Sequence, residues 1–307
     1  MLELLNMEYE KELIARVKEM VEPGCEILGV DIYKCNQFAY RGLMCRQPKQ
    51  GRTIVSAIAN ISMYMEANTD LDVAAGFVVS TFKLDPPFDL EKFERFLDFE
   101  KVKSRIRVKL INKDQNLRYL ERLETLDFLD LAIVPYVLLD DEAEEGMYSF
   151  NVTKQIANVW KLETSQLCEI AIDNITNARD WSVRSMENVM LELVAHSPAE
   201  VGELNDYEAE PAAEKMLVVT NKKATEGASV ILCADVIGEI QQQVGKDFVV
   251  LPSSRHETIV IPAGMAEPTL LKDLVKQVNK EQVSPEDFLA DNVYFYNHIT
   301  GGFEYLI

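Results

Sequence analysis

Phe248-Val249-Val250-Leu251-Pro252-Ser253-Ser254-Arg255-His256-Glu257-Thr258-Ile259-Val260-Ile261-Pro262 sets two apolar runs on either side of a polar knot. Each run is short and rich in β-branched residues, the pattern of a buried strand. Proline and serine between them are turn formers. If the runs pair, the chain doubles back here and the sheet is antiparallel. The knot carries two hydroxyls, a guanidinium, an imidazole and a carboxylate, and it holds one of only three histidines in the chain. Side chains of a strand alternate between its faces. His256, Thr258 and Val260 therefore share one face, and Glu257, Ile259 and Ile261 the other.

Working outward, the C-terminal half alternates strand and helix signals. Strands are predicted over 216–220, 228–231 and 293–296, and helices over 164–178, 182–195, 235–244, 268–279 and 285–290. The acid-rich stretch 197–214 reads as an exposed loop or an internal linker. Further back, 129–139 and 147–152 form a second hairpin signal with an acidic tip at 140–146. The N-terminal part opens with an amphipathic helix over 3–21, on which Leu5, Tyr9, Leu13, Val17 and Met20 recur at helical spacing. Pro23-Gly24 stops it, and a hairpin over 26–33 and 39–45 follows. Two helices are predicted over 54–66 and 70–83, the second capped by Thr69 or Asp70. Asp85-Pro86-Pro87 is a break, after which Asp89 caps a short helix carrying Leu90, Phe93 and Leu97. Val102–Leu110 fits both periods and is read as a helix continuing from Phe93–Leu97. A further helix is predicted over 116–123.

These signals define an α+β fold: an N-terminal helical part with a β-hairpin, then a mainly antiparallel C-terminal sheet covered by helices. The expected division is 1–145 and 146–307. A single continuous unit is the alternative, if the 129–139 hairpin joins the C-terminal sheet.

Composition narrows the function. The chain has 307 residues, 48% of them hydrophobic, so it can bury a sizeable core. Fifty-one acids against 31 bases give a net charge of −20. Such a surface repels nucleic-acid phosphates and anionic lipid, so neither is expected as a partner, whereas a basic protein partner, or simple solubility, suits it. Cys25, Cys35, Cys45, Cys168 and Cys233 are odd in number and never spaced CxxC, which points to reduced, mostly buried thiols in a cytoplasmic protein. Met1-Leu2-Glu3-Leu4-Leu5 leads into charged residues rather than a signal sequence, and no apolar run has the roughly 20 residues that span a bilayer.

Candidate chemistry centres on the polar knot. Ser254 and His256 share a face and are candidates for a nucleophile and its base, with Glu257 a third candidate catalytic group on the wrong face to complete a triad. No GxSxG elbow surrounds Ser253 or Ser254. The competing reading is a polar turn whose hydroxyls and Arg255 satisfy backbone groups. Ser253, Arg255, Asn112 and Asp130 are candidate binding residues. His196, His256 and His298 lack metal-ligand spacing, and no metal or cofactor is expected. The 221–227 stretch reads as a turn, since a lone glycine is no phosphate cradle. The basic run Lys101, Lys103, Arg105, Arg107 and Lys109 reads as a solvated helix face.

Several local patterns occur together: Leu110-Ile111-Asn112 with Asn116, the run 128–134, Ala171 with Asn174, Gly227-Ala228-Ser229, Leu251-Pro252-Ser253-Ser254 with His256-Glu257, and Asp291 with Val293-Tyr294. In this order they resemble an uncharacterised family, a domain of unknown function, of anaerobic gut bacteria. The resemblance covers residues 25 to 300, and its most specific part is the PSSxHE cassette. Ala290-Asp291-Asn292 departs from the family's Ser-Asp pattern. The second half is also distantly similar to another bacterial family of unknown function. Neither resemblance implies a known reaction. The expected function is an acidic interaction or regulatory protein without catalytic activity. A hydrolase-like enzyme or small-ligand binder centred on Ser254, His256 and Glu257 is the alternative.

Overall fold

The first helix, α1 (Leu2–Met20), buries Tyr9, Leu13 and Val17 along one side, as its periodicity predicts. The structure is a computed structural model, and it describes residues 2–37, 39–49, 52–83, 88–89, 97–140, 148–195 and 216–307. The chain divides into two units, Met1–Lys101 and Val102–Ile307.

In the N-terminal unit, β1 (Glu26–Tyr33) and β2 (Ala39–Lys49) form the expected antiparallel hairpin, with Asn36 and Gln37 at positive φ in its turn. Then come β3 (Arg52–Val55), β4 (Ala59–Asn60), α2 (Ser62–Glu66), α3 (Leu71–Phe82) and β5 (Phe88–Asp89). The helix predicted over 54–66 is therefore mostly extended chain. Thr53, Ile54 and Val55 pair with Pro48, Gln47 and Arg46, and the Ser56 hydroxyl accepts a bond from the Cys45 amide. β-branched residues next to a free strand edge take the edge. Asp70 caps α3 as predicted, accepting from the amides of Asp72 and Val73. Asp89 lies in β5 opposite Ile54 rather than at a helix start, and the helix predicted through Leu90 and Phe93 lies outside the described residues. Leu13, Val17, Leu43, Ile61, Ala74, Ala75 and Val78 form this unit's core.

The C-terminal unit contains two antiparallel sheets. Its first strand, β6 (Ile106–Asn112), corrects the helix read over 102–110. Helix survives only at Phe99–Val102, followed by a 3-10 turn over Lys103–Arg105. The alternation of apolar and charged residues was the deciding signal, because β6 pairs along its length with β8 (Leu131–Asp140). The run 116–123 is likewise only a turn of helix, Leu117–Leu120. β7 (Leu126–Phe128) and β9 (Tyr148–Asn151) pair with β8 and complete the four-stranded sheet. Position 145, the expected domain boundary, lies between the paired strands β8 and β9.

Next come α4 (Lys154–Trp160) and α5 (Thr164–Ala178), which covers the four-stranded sheet. The helix predicted over 182–195 begins as a strand, β10 (Ser182–Ser185), before α6 (Met186–Ala195). β11 (Leu217–Thr220) leads through a tight loop into a buried 3-10 helix, Gly227–Leu232, where a strand was predicted. It packs against β6, β11 and α7 (Ala234–Val244) and joins neither sheet. β12 (Phe248–Leu251) and β13 (Glu257–Pro262) pair as the opening sequence requires. α8 (Pro268–Glu281), β14 (Tyr294–Asn297) and β15 (Gly302–Tyr305) finish the chain, giving a six-stranded order β10-β11-β13-β12-β14-β15. Leu271 and Val275 of α8 pack on Val249, Leu251, Ile261 and Val293. The α+β class with antiparallel sheets is thus the observed one. Residues 285–290, predicted helical, form a turn that zips onto the cassette instead.

All five cysteines are free, and all but the half-buried Cys25 are buried. Burial pushes the Cys45 and Cys168 thiols up to about 12 and that of Cys233 to about 11, which makes them poor nucleophiles. No helix among the described residues is long and apolar enough to cross a membrane.

Candidate functional site

The cassette after β12 lies along residues 287–290 by backbone bonds. Ala290 and Leu289 donate to the carbonyls of Pro252 and Ser253, and Arg255 donates to the carbonyl of Asp287. Asn112, at the end of β6, holds the same segment from the other sheet: its Nδ2 donates to Leu289 O at 2.9 Å. The candidate binding residue Asn112 is therefore at the segment that the cassette pairs with. Asp130 is not. It accepts from Tyr294 Oη at 2.5 Å and Asn292 Nδ2 at 2.9 Å. Burial first, and then the nearby Asp130, push the Tyr294 phenol far above its ordinary range, so it stays a hydrogen-bond donor.

The side chains of the knot converge on two acids that the sequence reading did not single out. Arg255 Nε bonds Asp287 Oδ1 at 3.1 Å, and its Nη1 bonds Glu226 Oε1 at 2.9 Å. His256 Nε2 lies 2.9 Å from Asp287 Oδ1, and its Nδ1 accepts the Glu226 backbone amide at 3.2 Å. An amide can only donate, so Nδ1 carries the lone pair and Nε2 the hydrogen. Both ring nitrogens are engaged in this way. Ser254 Oγ accepts from the backbone amide of His256 at 3.0 Å, a local turn bond, whereas the imidazole ring bonds Asp287 and the Glu226 amide. Ser253 contributes its carbonyl to Leu289. Glu257 sits opposite Thr220 at the start of β13, one position out of phase with the buried Thr258 and Val260.

Glu226 is the centre of the cluster. Its side chain is 7% exposed, with Arg255 on one oxygen and Lys109 Nζ at 3.9 Å from that same oxygen. Lys109, predicted on a solvated face, is buried and lies over the Tyr136 ring. Oε2 of Glu226 accepts no hydrogen bond from any described residue. The backbone is also unusual: Ala224 and Glu226 both have positive φ, which costs a non-glycine residue energy unless its surroundings enforce it. Enforcement comes from Asn221, whose side chain bonds both the amide and the carbonyl of Thr225, and from the Glu226 amide on His256. The 221–227 stretch is a turn as read, but one that aims a buried carboxylate.

His298 is remote and pairs with Asp247 at 2.7 Å, while His196 lies outside the described residues. Among the described residues no group of three or more His, Cys, Asp or Glu is placed to hold a metal ion.

Burial pushes the Asp287 carboxyl up, but bonds from His256 and Ser284 together with Arg255 outweigh it and hold the group below its ordinary value. A folded-state value below the unfolded one stabilises the fold above roughly pH 4 and ceases to do so as pH falls through the folded value. Asp287→Ala should therefore lose about 2 kcal/mol at pH 7, the scale of hydrogen bonds to a charged group. The gap to wild type should close on acidification below about pH 4. Urea melts across pH 2.5 to 7 would show it, and a gap independent of pH would refute the ionic origin.

The geometry defines an α+β protein in which an ionic and hydrogen-bonded cluster fastens a loop to a sheet. The chain belongs to a family of unknown function, DUF5688, whose model matches residues 6–298. No curated protein matches it, and no solved structure does.

Proposed function

We propose that this protein works by binding, as a non-catalytic interaction or regulatory protein, and that the cassette is a latch holding residues 284–290 against the sheet. One observation carries the reading: both ring nitrogens of His256 are committed, one to Asp287 and one to the Glu226 amide. A general base needs a nitrogen within reach of the proton it removes. The Ser254 hydroxyl faces a backbone amide instead. The net charge of −20 favours a basic protein partner and disfavours nucleic acid. A cytoplasmic location in anaerobic gut bacteria, with the PSSxHE cassette as a family hallmark, belongs to the same reading.

A screen of chromogenic esters, phosphates and peptides tests it. Wild type, His256→Ala and Ser254→Ala should all stay at the buffer rate, with thermal melts confirming that each variant is folded. A wild-type rate about 100-fold above buffer that disappears in the folded variants would establish a hydrolase.

A further inference from the structure

A small cavity of about 50 Å³ lies beside the latch, walled by Arg107, Tyr136, Glu226, Leu138, Ile175 and Val230. Two of its walls present buried polar atoms of opposite kind without partners among the described residues. Glu226 Oε2 is an acceptor and Arg107 Nε a donor. Arg107 has already given Nη1 to the carbonyls of Ser104 and Ile106. Glu226 has given its other oxygen to Arg255. Arg107 and Tyr136 face each other across β6 and β8. The Tyr136 phenol lies within the fields of both ions: burial and Glu226 push its pKa up, and Arg107 opposes them.

Three other polar groups of the wall are already used. Asn221 and Thr225 bond one another, and Ser229 Oγ donates to Val108 O at 2.7 Å. The buried atoms of the wall left without a partner among the described residues are one carboxylate oxygen and one guanidinium N–H, with the Tyr136 phenol in the same wall. Each buried polar atom left unpaired carries a desolvation penalty that a ligand able to pair it would relieve. The lining carries charges of both signs, the cations Arg107 and Lys223 and the carboxylates Asp180 and Glu226. A lone anion would satisfy Arg107 and leave Oε2 bare, and a lone cation would do the reverse. The volume admits roughly three to five water-sized positions, or one molecule of about five non-hydrogen atoms.

We propose that this cavity binds a small zwitterion of glycine or β-alanine size, its ammonium on Glu226 Oε2 and its carboxylate on Arg107 Nε. The proposal rests on the non-catalytic reading in treating Glu226 as a binding group rather than a reacting one.

Isothermal titration of the full chain tests it, with glycine and β-alanine as probes and with ammonium chloride and sodium acetate as half-ligands. A zwitterion should bind at least about tenfold more tightly than either half. Glu226→Gln should weaken it by a further factor of about ten. Tyr136→Phe, which keeps the ring and removes only the hydroxyl, should weaken it severalfold and serves if Glu226→Gln does not fold. Half-ligands that bind as well as glycine, variants that bind like wild type, or a glycine-soaked crystal with only waters bridging Oε2 and Nε would each overturn the proposal. Ligand recovered chemically altered would instead overturn the non-catalytic reading and leave the site standing.

Discussion

Gly227→Ala is expected to unfold the C-terminal unit roughly 6–12 °C below wild type, a loss of about 3 kcal/mol for a unit of this size. The added methyl would lie 2.5 Å from the His256 carbonyl oxygen and 2.6 Å from the Asn221 amide nitrogen, and against Thr220 Oγ1. A side chain can swing away, but two of these neighbours are backbone. The His256 carbonyl is held at 2.6 Å by Thr220 Oγ1, and Asn221 is held by Thr225. The loop and the latch would have to part, and that would undo the Glu226 amide bond to His256. Gly238→Ala is the matched control. It sits inside α7 with nothing within 4 Å of its added methyl, and should stabilise by about 0.5–1 kcal/mol through helix propensity. Differential scanning calorimetry of both variants decides the matter. A Gly227→Ala chain that melts within 2 °C of wild type would mean the loop is not clamped as described.

What the sequence made legible follows from how local each signal was. The β12–β13 pair was readable because two short β-branched runs flank turn residues, and no other arrangement buries both. The 3-10 helix at Gly227–Leu232 was not readable. An apolar run of that length fits strand or buried helix equally, and only its enclosure by β6, β11 and α7 decides. β6 was misread for a related reason. The helical period of Phe93–Leu97 was carried on into it over its own period-two alternation, and its charges were read as solvated, yet Lys109 is buried against Glu226, 117 residues further along the chain. Residues 285–290 have helical composition but exchange backbone bonds with the cassette instead. The candidate residues fared according to the same rule. Arg255 and His256 stood out by composition, and their alternation with Glu257 placed that acid elsewhere. Glu226 and Asp287 are two among 51 acids, and no local spacing marks them. Burial and a positive φ set Glu226 apart, and neither is written in the sequence.

Arg255→Ala should cost about 3–4 kcal/mol, more than Asp287→Ala, although Arg255 bonds both acids. The difference lies in what is stranded. Asp287 has a side chain 29% exposed and can recruit water when its partner goes. Glu226 is 7% exposed and cannot. Without Arg255 its carboxylate keeps, among the described residues, only Lys109 at 3.9 Å, too long for a hydrogen bond. Removing one member of a buried ionic pair is costly because the other stays behind uncompensated. Arg255→Lys restores the charge but not the fork that reaches two acids at once, and should recover less than half of the loss. Glu226→Gln placed on the Arg255→Ala background removes the stranded charge. It should return about 1–3 kcal/mol, so the two substitutions together are milder than their sum. Additive losses in a urea double-mutant cycle would show that Glu226 and Arg255 do not interact. If the single Arg255→Ala change cost under 0.5 kcal/mol, the cluster would be no latch at all.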